Sequence, residues 1–335
     1  MKVVDMHCDT ISELYGRRGT SILKNSLHID LEKMEKGDYL LQNFALFVHL
    51  GREERPFEHA MKLADTFYTQ MEANSDRIGI VRSFADIEAN RRAGRMSAML
   101  TLEEGGICQG ELSCLRNLYR MGARMMTLTW NFPNELGFPN RQPDEEEILR
   151  ARSEGRPSRF QPDTENGLTE TGIEFIREME RIGMIIDISH LNDAGIRDVF
   201  RYTKKPFVAS HSNARALASH PRNLTDEMIR GLSERGGVAG INYCSAFLRD
   251  PENGEECKFA ACRDIVAHMK HFKRVGGIGC IGLGSDFDGI SNAVEMGDCS
   301  GMELLADEMA REGFTTGEIE AVFYGNVLRV YRELL

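Results

Sequence analysis

Eight short apolar runs, most of them trailed by a helical stretch, constrain this 335-residue chain more than any other feature. They fall at 3–9 (VVDMHCD), 40–48 (LLQNFALFV), 97–104 (SAMLTLEE), 125–130 (MMTLTW), 184–190 (MIIDISH), 207–212 (FVASHS), 237–243 (GVAGINY) and 280–287 (CIGLGSDF). Each is apolar on both faces or nearly so, which is how parallel strands read when helices cover them. Segments such as ELSCLRNLYRMG, GIEFIREMERIG, DEMIRGLSERGG and CRDIVAHMKHFKRVGG are helical in pattern and end at Gly122, Gly183, Gly236 and Gly276, where a left-handed cap is expected. Strand, helix, glycine, strand is the grammar of βα units. Eight of them predict an α/β chain folded as a (β/α)8 TIM barrel, one domain over 1–335, since barrels of roughly 200 to over 400 residues form a single unit. A doubly wound open sheet is the alternative, but no glycine-rich phosphate turn follows the first run.

The stretch 131–168 interrupts the pattern, being rich in Pro, Asn, Arg and Glu. It reads as a long loop after the fourth strand, either a lid or a surface excursion. Two helices are expected to close the chain at about 300–334, where Ser300 with Glu303 and Thr315 with Glu318 both fit a capping box. A net charge of −11 and a pI near 5.4 argue against nucleic acid or an anionic membrane surface as partner. No run approaches the roughly 18 apolar residues of a membrane span. Polar residues follow Val3-Val4 at once, so no signal peptide is expected. The eight cysteines show no CxxC pair and read as reduced thiols, which makes the cytoplasm the expected location.

In such a barrel the active site lies at the C-terminal ends of the strands. Five of the eight runs finish there on His, Asp or Glu: His7 and Asp9, Glu103-Glu104, Asp187 and His190, His211, and Asp286 with Asp288. A lone histidine at a strand end is usually a hydrogen-bonded core residue. Five ends converging on one rim are another matter, because buried carboxylates and imidazoles are costly unless paired or metal-bound. Catalytic zinc usually takes three protein ligands, so this set exceeds one ion. Two divalent ions about 3.5–4 Å apart with a shared carboxylate fit it, holding a hydroxide that is nucleophilic at neutral pH. A nearby carboxylate would then carry the proton to the leaving amine, and Asp286 is placed for that. Alternation along the strand predicts that Cys8 points away from His7 and Asp9, and His268 and His271 are expected on a solvent-facing helix.

These residues, with EGG at 104–106, LYRMGARMMTLTW at 118–130, SHSNARALASHPRN at 210–223, GLGSDFDG at 282–289 and NVLRVY at 326–331, resemble the membrane dipeptidase (renal dipeptidase) family of the amidohydrolase superfamily, in its non-secreted bacterial form. The resemblance runs along nearly the whole chain. It implies a dipeptidase with two zinc ions, one on His7, Asp9 and Glu104, the other on Glu104, His190 and His211. Strand parity leaves Glu103 and Glu104 open; the family glutamate directly precedes Gly-Gly, which implies Glu104. The same match implies Asp286 rather than Asp288 as acid/base and Arg222 as the grip on the substrate carboxylate, and it implies tolerance of a C-terminal D-residue and a possible homodimer. Vertebrate-type members end the fourth strand on a histidine; here Trp130 and Asn131 stand there, as substrate-binding candidates with Tyr243 and Asn242 at the end of the seventh. The native metal stays open among Zn, Mn and Co. An amidase or deacetylase of the same superfamily is the enzymatic alternative, and a barrel without catalysis that serves as a binding protein is the other.

Overall fold

The computed structural model describes residues 1–17, 19–140, 145–154, 161–251 and 257–335. Eight parallel strands close the expected barrel: β1 (Val3–Asp5), β2 (Tyr39–Phe47), β3 (Met96–Glu103), β4 (Met125–Thr127), β5 (Ile185–Asp187), β6 (Val208–Ala209), β7 (Val238–Ile241) and β8 (Ile281–Leu283). The ring runs in sequence order except between β1 and β8, which pair at Asp5 and Leu283, and it is complete because β2 pairs with β3 from Leu41–Ser97 to Phe47–Glu103.

Two elements were not among the expected runs. A short strand, Ile78–Val81, pairs with Met96–Met99 on the edge of β3 that β4 takes over only from Thr101. Because β3 is eight residues long and β4 three, the first half of that edge would otherwise be unpaired. The dipeptides Phe259–Ala260 and Ala293–Val294 make a separate two-stranded ladder.

Side chains divide by parity. Val4, Met6, Leu41, Met99, Met125, Ile185, Val208 and Val238 form one buried cluster. Val327, Val330 and Tyr331 of the terminal helix Asn326–Leu334 join it. Ala98, Leu100 and Leu102, the alternate residues of β3, belong instead to the larger cluster that the surrounding helices complete. Burying each large aliphatic side chain contributes roughly 1.5–3 kcal/mol, so both faces of every strand are committed and the register cannot slip. On β3 this parity places Glu103 with Met99, toward the barrel interior.

Gly122, Gly183 and Gly236 take the expected positive φ of 131°, 86° and 77°. In the fourth case Gly276 is the last helical residue, and Gly277 makes the turn with φ 83°. Thr315 and Glu318 form their capping box. Ser300 does not: the helix Met302–Arg311 has no side-chain cap, and Asp298 accepts from the Ser300 N–H instead. The stretch 131–168, read as a loop, carries a helix, Glu145–Ser153, and a bridge from Pro139 to Leu191; 141–144 and 155–160 lie outside the described residues. His268 and His271 do not face solvent. They sit on the inner side of the helix Cys262–Gly276, 0% and 4% exposed, because both rings have polar partners inside: His268 the Ala214 N–H and the Leu248 carbonyl, His271 the Asp226 carboxylate. Among the described residues no helix is long and apolar enough to cross a membrane.

Candidate metal centre

Apart from Glu103, the last residue of β3, the candidate ligands lie just past the strand ends, where the backbone turns sharply. Among the described residues six non-glycines have positive φ, and four of them are Glu104, His190, Asp286 and Asp288, just past β3, β5 and β8. Such conformations cost on the order of 1–3 kcal/mol each and persist where surrounding structure over-determines them.

These turns bring side chains from β1, β3, β5, β6 and β8 to one place. His7 Nε2 lies 3.2 Å from Glu103 Oε2, 3.4 Å from Asp9 Oδ2 and 3.8 Å from Asp286 Oδ1. The other oxygen, Glu103 Oε1, lies 3.1 Å from His190 Nε2 and 3.8 Å from His211 Nε2. Glu103 therefore stands between two half-sites with one oxygen toward each. Gly289 is required beside them, since a Cβ there would come within 2.1 Å of Asp9 Oδ2 and 2.5 Å of Asp286 Oδ1.

The expectation for Glu104 is corrected by this geometry. With φ 111° its side chain turns out of the cluster and accepts from the Gly106 N–H at 2.6 Å, the Trp130 N–H at 3.0 Å and Asn134 Nδ2. Glu104 fastens the segment after β4; the carboxylate that faces the histidines belongs to Glu103. Burial raises Glu104 to about 7 against those donors.

The electrostatics are those of a site short of positive charge. Asp9 is pushed up to about 6 by burial and by the charge of Glu103. Asp286 is pushed up to about 7 by burial, with Asp9 and Glu103 adding to it against His7. Burial works against a charge on His7, yet Glu103 and Asp9 outweigh it and hold it well above the usual value. Burial and the neighbouring Arg222 and His7 keep His190 and His211 well below theirs, hence neutral. His7 Nε2 and Asp9 Oδ1 are buried with no hydrogen-bond partner among the described residues.

The histidine tautomers sharpen this. His190 Nδ1 lies 3.0 Å from the carbonyl oxygen Asn131 Oδ1, which only accepts, so the ring proton is on Nδ1. His211 Nδ1 lies 2.7 Å from Ser210 Oγ, whose own proton goes to Asp187 Oδ2 at 2.5 Å, so His211 also carries its proton on Nδ1. Both Nε2 atoms are then bare lone pairs, and they face each other at 3.0 Å. Two acceptors cannot hydrogen-bond; a cation reconciles them. Imidazole nitrogens and carboxylate oxygens suit zinc and other first-row divalent ions, so these residues fit a metal.

Asp286 and Asp288 are told apart here. Asp288 is committed on both oxygens, to Thr10 Oγ1 at 2.6 Å and to the N–H and Nδ1 of His28 at 2.7 and 2.9 Å. Asp286 accepts one bond, from Asn242 Nδ2, and faces the cluster. Both line a cavity of about 330 Å³ together with Asp9, Glu103, His190, Phe47, Trp130, Asn131, Cys244 and Phe247. That volume suits a small ligand.

The substrate candidates are only partly brought together. Trp130 lines the cavity, packed on Phe47 with ring centroids 4.9 Å apart. Asn131 lines it too, but its carbonyl is spent on His190. Arg222 is buried, 5.4 Å over the ring of the cavity residue Phe247, and its Nε has no partner among the described residues. Burial lowers it only to about 10, so it keeps its charge near neutral pH. Tyr243 does not reach the cavity: it is 0% exposed, edge-on to Phe287 in the core, because the chain continues with strand parity past Ile241 and turns the ring outward from the barrel. Cys8 points away as expected, toward the Asn43 carbonyl. Sequence reasoning missed Phe47 and Phe247; Phe47 ends β2, so the strand-end rule that found the ligands would have found it.

The chain has relatives among known proteins. The family model for the membrane dipeptidases, peptidase family M19, matches residues 1–334. A Klebsiella pneumoniae protein from the pqqA 5′ region is 32% identical over 267 residues, 78% of this chain and 90% of that protein. Dipeptidase verJ of Clonostachys rogersoniana is 31% identical over 271 residues, 81% of this chain and 63% of that one. Among solved structures, a metallopeptidase from Rhodobacter sphaeroides carrying a phosphinate mimic of L-Ala-D-Ala superposes with a TM-score of 0.86 at 23% identity, covering 100% of this chain and 99% of that one. The metallopeptidase dipeptidase AC does so with 0.86 at 25%, covering 100% and 98%. Matched along its length by that family and by curated relatives above 30% identity, the chain belongs to the membrane dipeptidases, peptidase family M19.

Proposed function

We propose that this chain is a zinc dipeptidase with a two-metal centre, in which His7, Asp9 and Glu103 hold one ion and Glu103, His190 and His211 the other. The observation that carries the metal reading is the pair of bare Nε2 atoms of His190 and His211 facing each other at 3.0 Å beside Glu103. Two divalent ions, when bound, supply a nucleophile at neutral pH and polarise the scissile carbonyl.

The rest falls to the chain's own residues. Asp286, raised by its surroundings to about 7, can hold a proton at Oδ1, the oxygen that Asn242 leaves open, and release it near neutral pH, as transfer to a leaving amine requires. Arg222 supplies a buried, charged fork of donors for the substrate's terminal carboxylate, and its Nε, without a partner among the described residues, can donate to it. Phe47, which ends β2, and Trp130, just past β4, form an aromatic wall of the cavity that Phe247, under Arg222, also lines. With the carboxylate at Arg222, that wall meets the side chain of the N-terminal residue. The related protein that carries an L-Ala-D-Ala mimic supports including D-residues at the C-terminal position.

The experiment is metal content of the purified protein together with hydrolysis of L-Ala-L-Ala and L-Ala-D-Ala, before and after chelation. Two metals per chain, with activity lost on chelation and restored by zinc, is the expected result. A protein that binds no metal and cleaves neither dipeptide would sink the reading. Unchanged dipeptide activity in Arg222→Ala would show that the carboxylate clamp is wrong.

A further inference from the structure

We propose that Asp187, through Ser210, is a positioning residue that locks the His211 tautomer and so sets the zinc affinity of the half-site made by His190 and His211. This rests on the metal reading above.

The Asp187 carboxylate, at the end of β5, accepts at four positions. Oδ1 takes the N–H groups of Ser189 and Ser210 at 3.0 and 2.8 Å, and Oδ2 takes the hydroxyls of Thr127 and Ser210 at 2.8 and 2.5 Å. It is 0% exposed, so no water competes. Ser210 has one hydroxyl proton, and Asp187 claims it. Toward His211 Nδ1, at 2.7 Å, Ser210 Oγ can then only accept. The ring proton is held on Nδ1, and Nε2 is left as a lone pair aimed at Glu103 and His190. The two backbone bonds fix the turn after β5, which carries His190, to the strand end that carries His211. A carboxylate that fixes a ligand histidine's tautomer and orientation commonly governs metal affinity.

The barrel contains an internal control. Asp5, at the end of β1, makes nearly the same clamp: Oδ1 accepts from the N–H groups of His7 and Ser285 at 3.2 and 2.9 Å, and Oδ2 from Ser285 Oγ at 2.5 Å. Asp5 is likewise buried. But Ser285 Oγ meets the His7 carbonyl and the Phe287 N–H, not a ring nitrogen. The two aspartates share the stitching of neighbouring strand ends and differ in reaching an imidazole. A purely structural role would make their substitutions equivalent.

The test is zinc titration of the metal-free full-length chain against a chelating dye, for wild type, Asp187→Asn, Ser210→Ala and Asp5→Asn, with thermal unfolding of each metal-free protein. In Asp187→Asn an amide can donate to Ser210 Oγ, which frees the serine proton for His211 Nδ1 and moves the ring proton to Nε2. The expected result is two sites in wild type, with one of the two weakened roughly 10- to 100-fold in Ser210→Ala. Asp187→Asn should weaken the same site more than Ser210→Ala does, because it enforces the wrong tautomer rather than releasing the right one. Asp5→Asn should lose thermal stability while keeping both affinities within roughly threefold, well short of that effect. Two wild-type sites with Ser210→Ala unchanged, or with Asp5→Asn weakened as much as Asp187→Asn, would overturn this inference alone. A wild-type chain that binds no zinc would overturn the proposed function and the inference with it.

Discussion

Asn242 Nδ2 donates to Asp286 Oδ2 at 2.9 Å, while Oδ1 of the same carboxylate points toward His7. The amide leaves Asp286 one oxygen for proton transfer and fixes which one. It is not itself in the cavity lining; it works through the aspartate.

Asp286→Asn should therefore lower kcat on a good dipeptide by about 10²–10⁴, the usual contribution of a general acid or base, while the other five residues still hold two metals. Asn242→Ala removes a hydrogen bond to a charged group, worth roughly 1.5–3 kcal/mol, and should lower kcat by about ten- to a hundredfold with little change in KM. Steady-state rates paired with metal analysis decide it. Normal kcat in Asp286→Asn would remove the aspartate from the mechanism.

Glu103 and Glu104 are neighbours with separable jobs. Glu103→Gln should strip the centre, giving fewer than two bound metals and no measurable turnover. Glu104→Ala should keep both metals and lose stability, because it leaves the Trp130 and Gly106 N–H groups and Asn134 without their acceptor. A buried donor left unsatisfied costs about 1–3 kcal/mol. Metal analysis beside a denaturant titration separates the two, and the reverse pattern would restore Glu104 as the bridge.

That exchange shows where the sequence was legible. Eight apolar runs between helical stretches led directly to the barrel, and the strand-end rule led to His7, Asp9, His190, His211 and Asp286. Choosing between adjacent glutamates needed the inward parity of β3, and that run is apolar on both faces, so no alternation marks it in the sequence. The EGG motif pointed to the glutamate whose φ is 111°, a turn no pattern of residue types announces. His268 and His271 failed for a related reason: a polar ring on a helix reads as exposed unless its partners, distant in sequence, are known. Tyr243 failed because the chain keeps strand parity past Ile241, which puts its ring on the outward side with Ile241.

Trp130 and Phe47 both line the cavity, their rings packed edge to face at 63°. Trp130→Ala removes apolar area worth roughly 1.5–3 kcal/mol if a substrate side chain covers it. It should lower kcat/KM for dipeptides with a large apolar N-terminal residue by about ten- to a hundredfold and change Gly-initiated dipeptides little. An equal loss on both substrates would show that Trp130 serves the segment that orients His190 and not the substrate.

His268 makes acid stability testable away from the metal centre. Its Nδ1 accepts from the Ala214 N–H and its Nε2 donates to the Leu248 carbonyl, each at 3.0 Å, so the neutral ring is fully satisfied and a second proton would face a donor. Burial accordingly lowers it from 6.5 to about 4, with nearby His271 adding to the effect. Above pH 6.5 the ring is neutral whether the chain is folded or not. Between about 6.5 and 4 the unfolded chain binds a proton that the folded chain refuses, so stability falls as the pH drops through that window. The full effect is on the order of 3 kcal/mol, since each tenfold loss of proton affinity corresponds to about 1.4 kcal/mol. His268→Gln can accept from Ala214 and donate to Leu248 without titrating. Denaturant titrations of the metal-free protein at pH 7 and pH 4.5 should show wild type losing more stability than His268→Gln by most of that amount, and parallel losses would mean that His268 takes up its proton in the folded state.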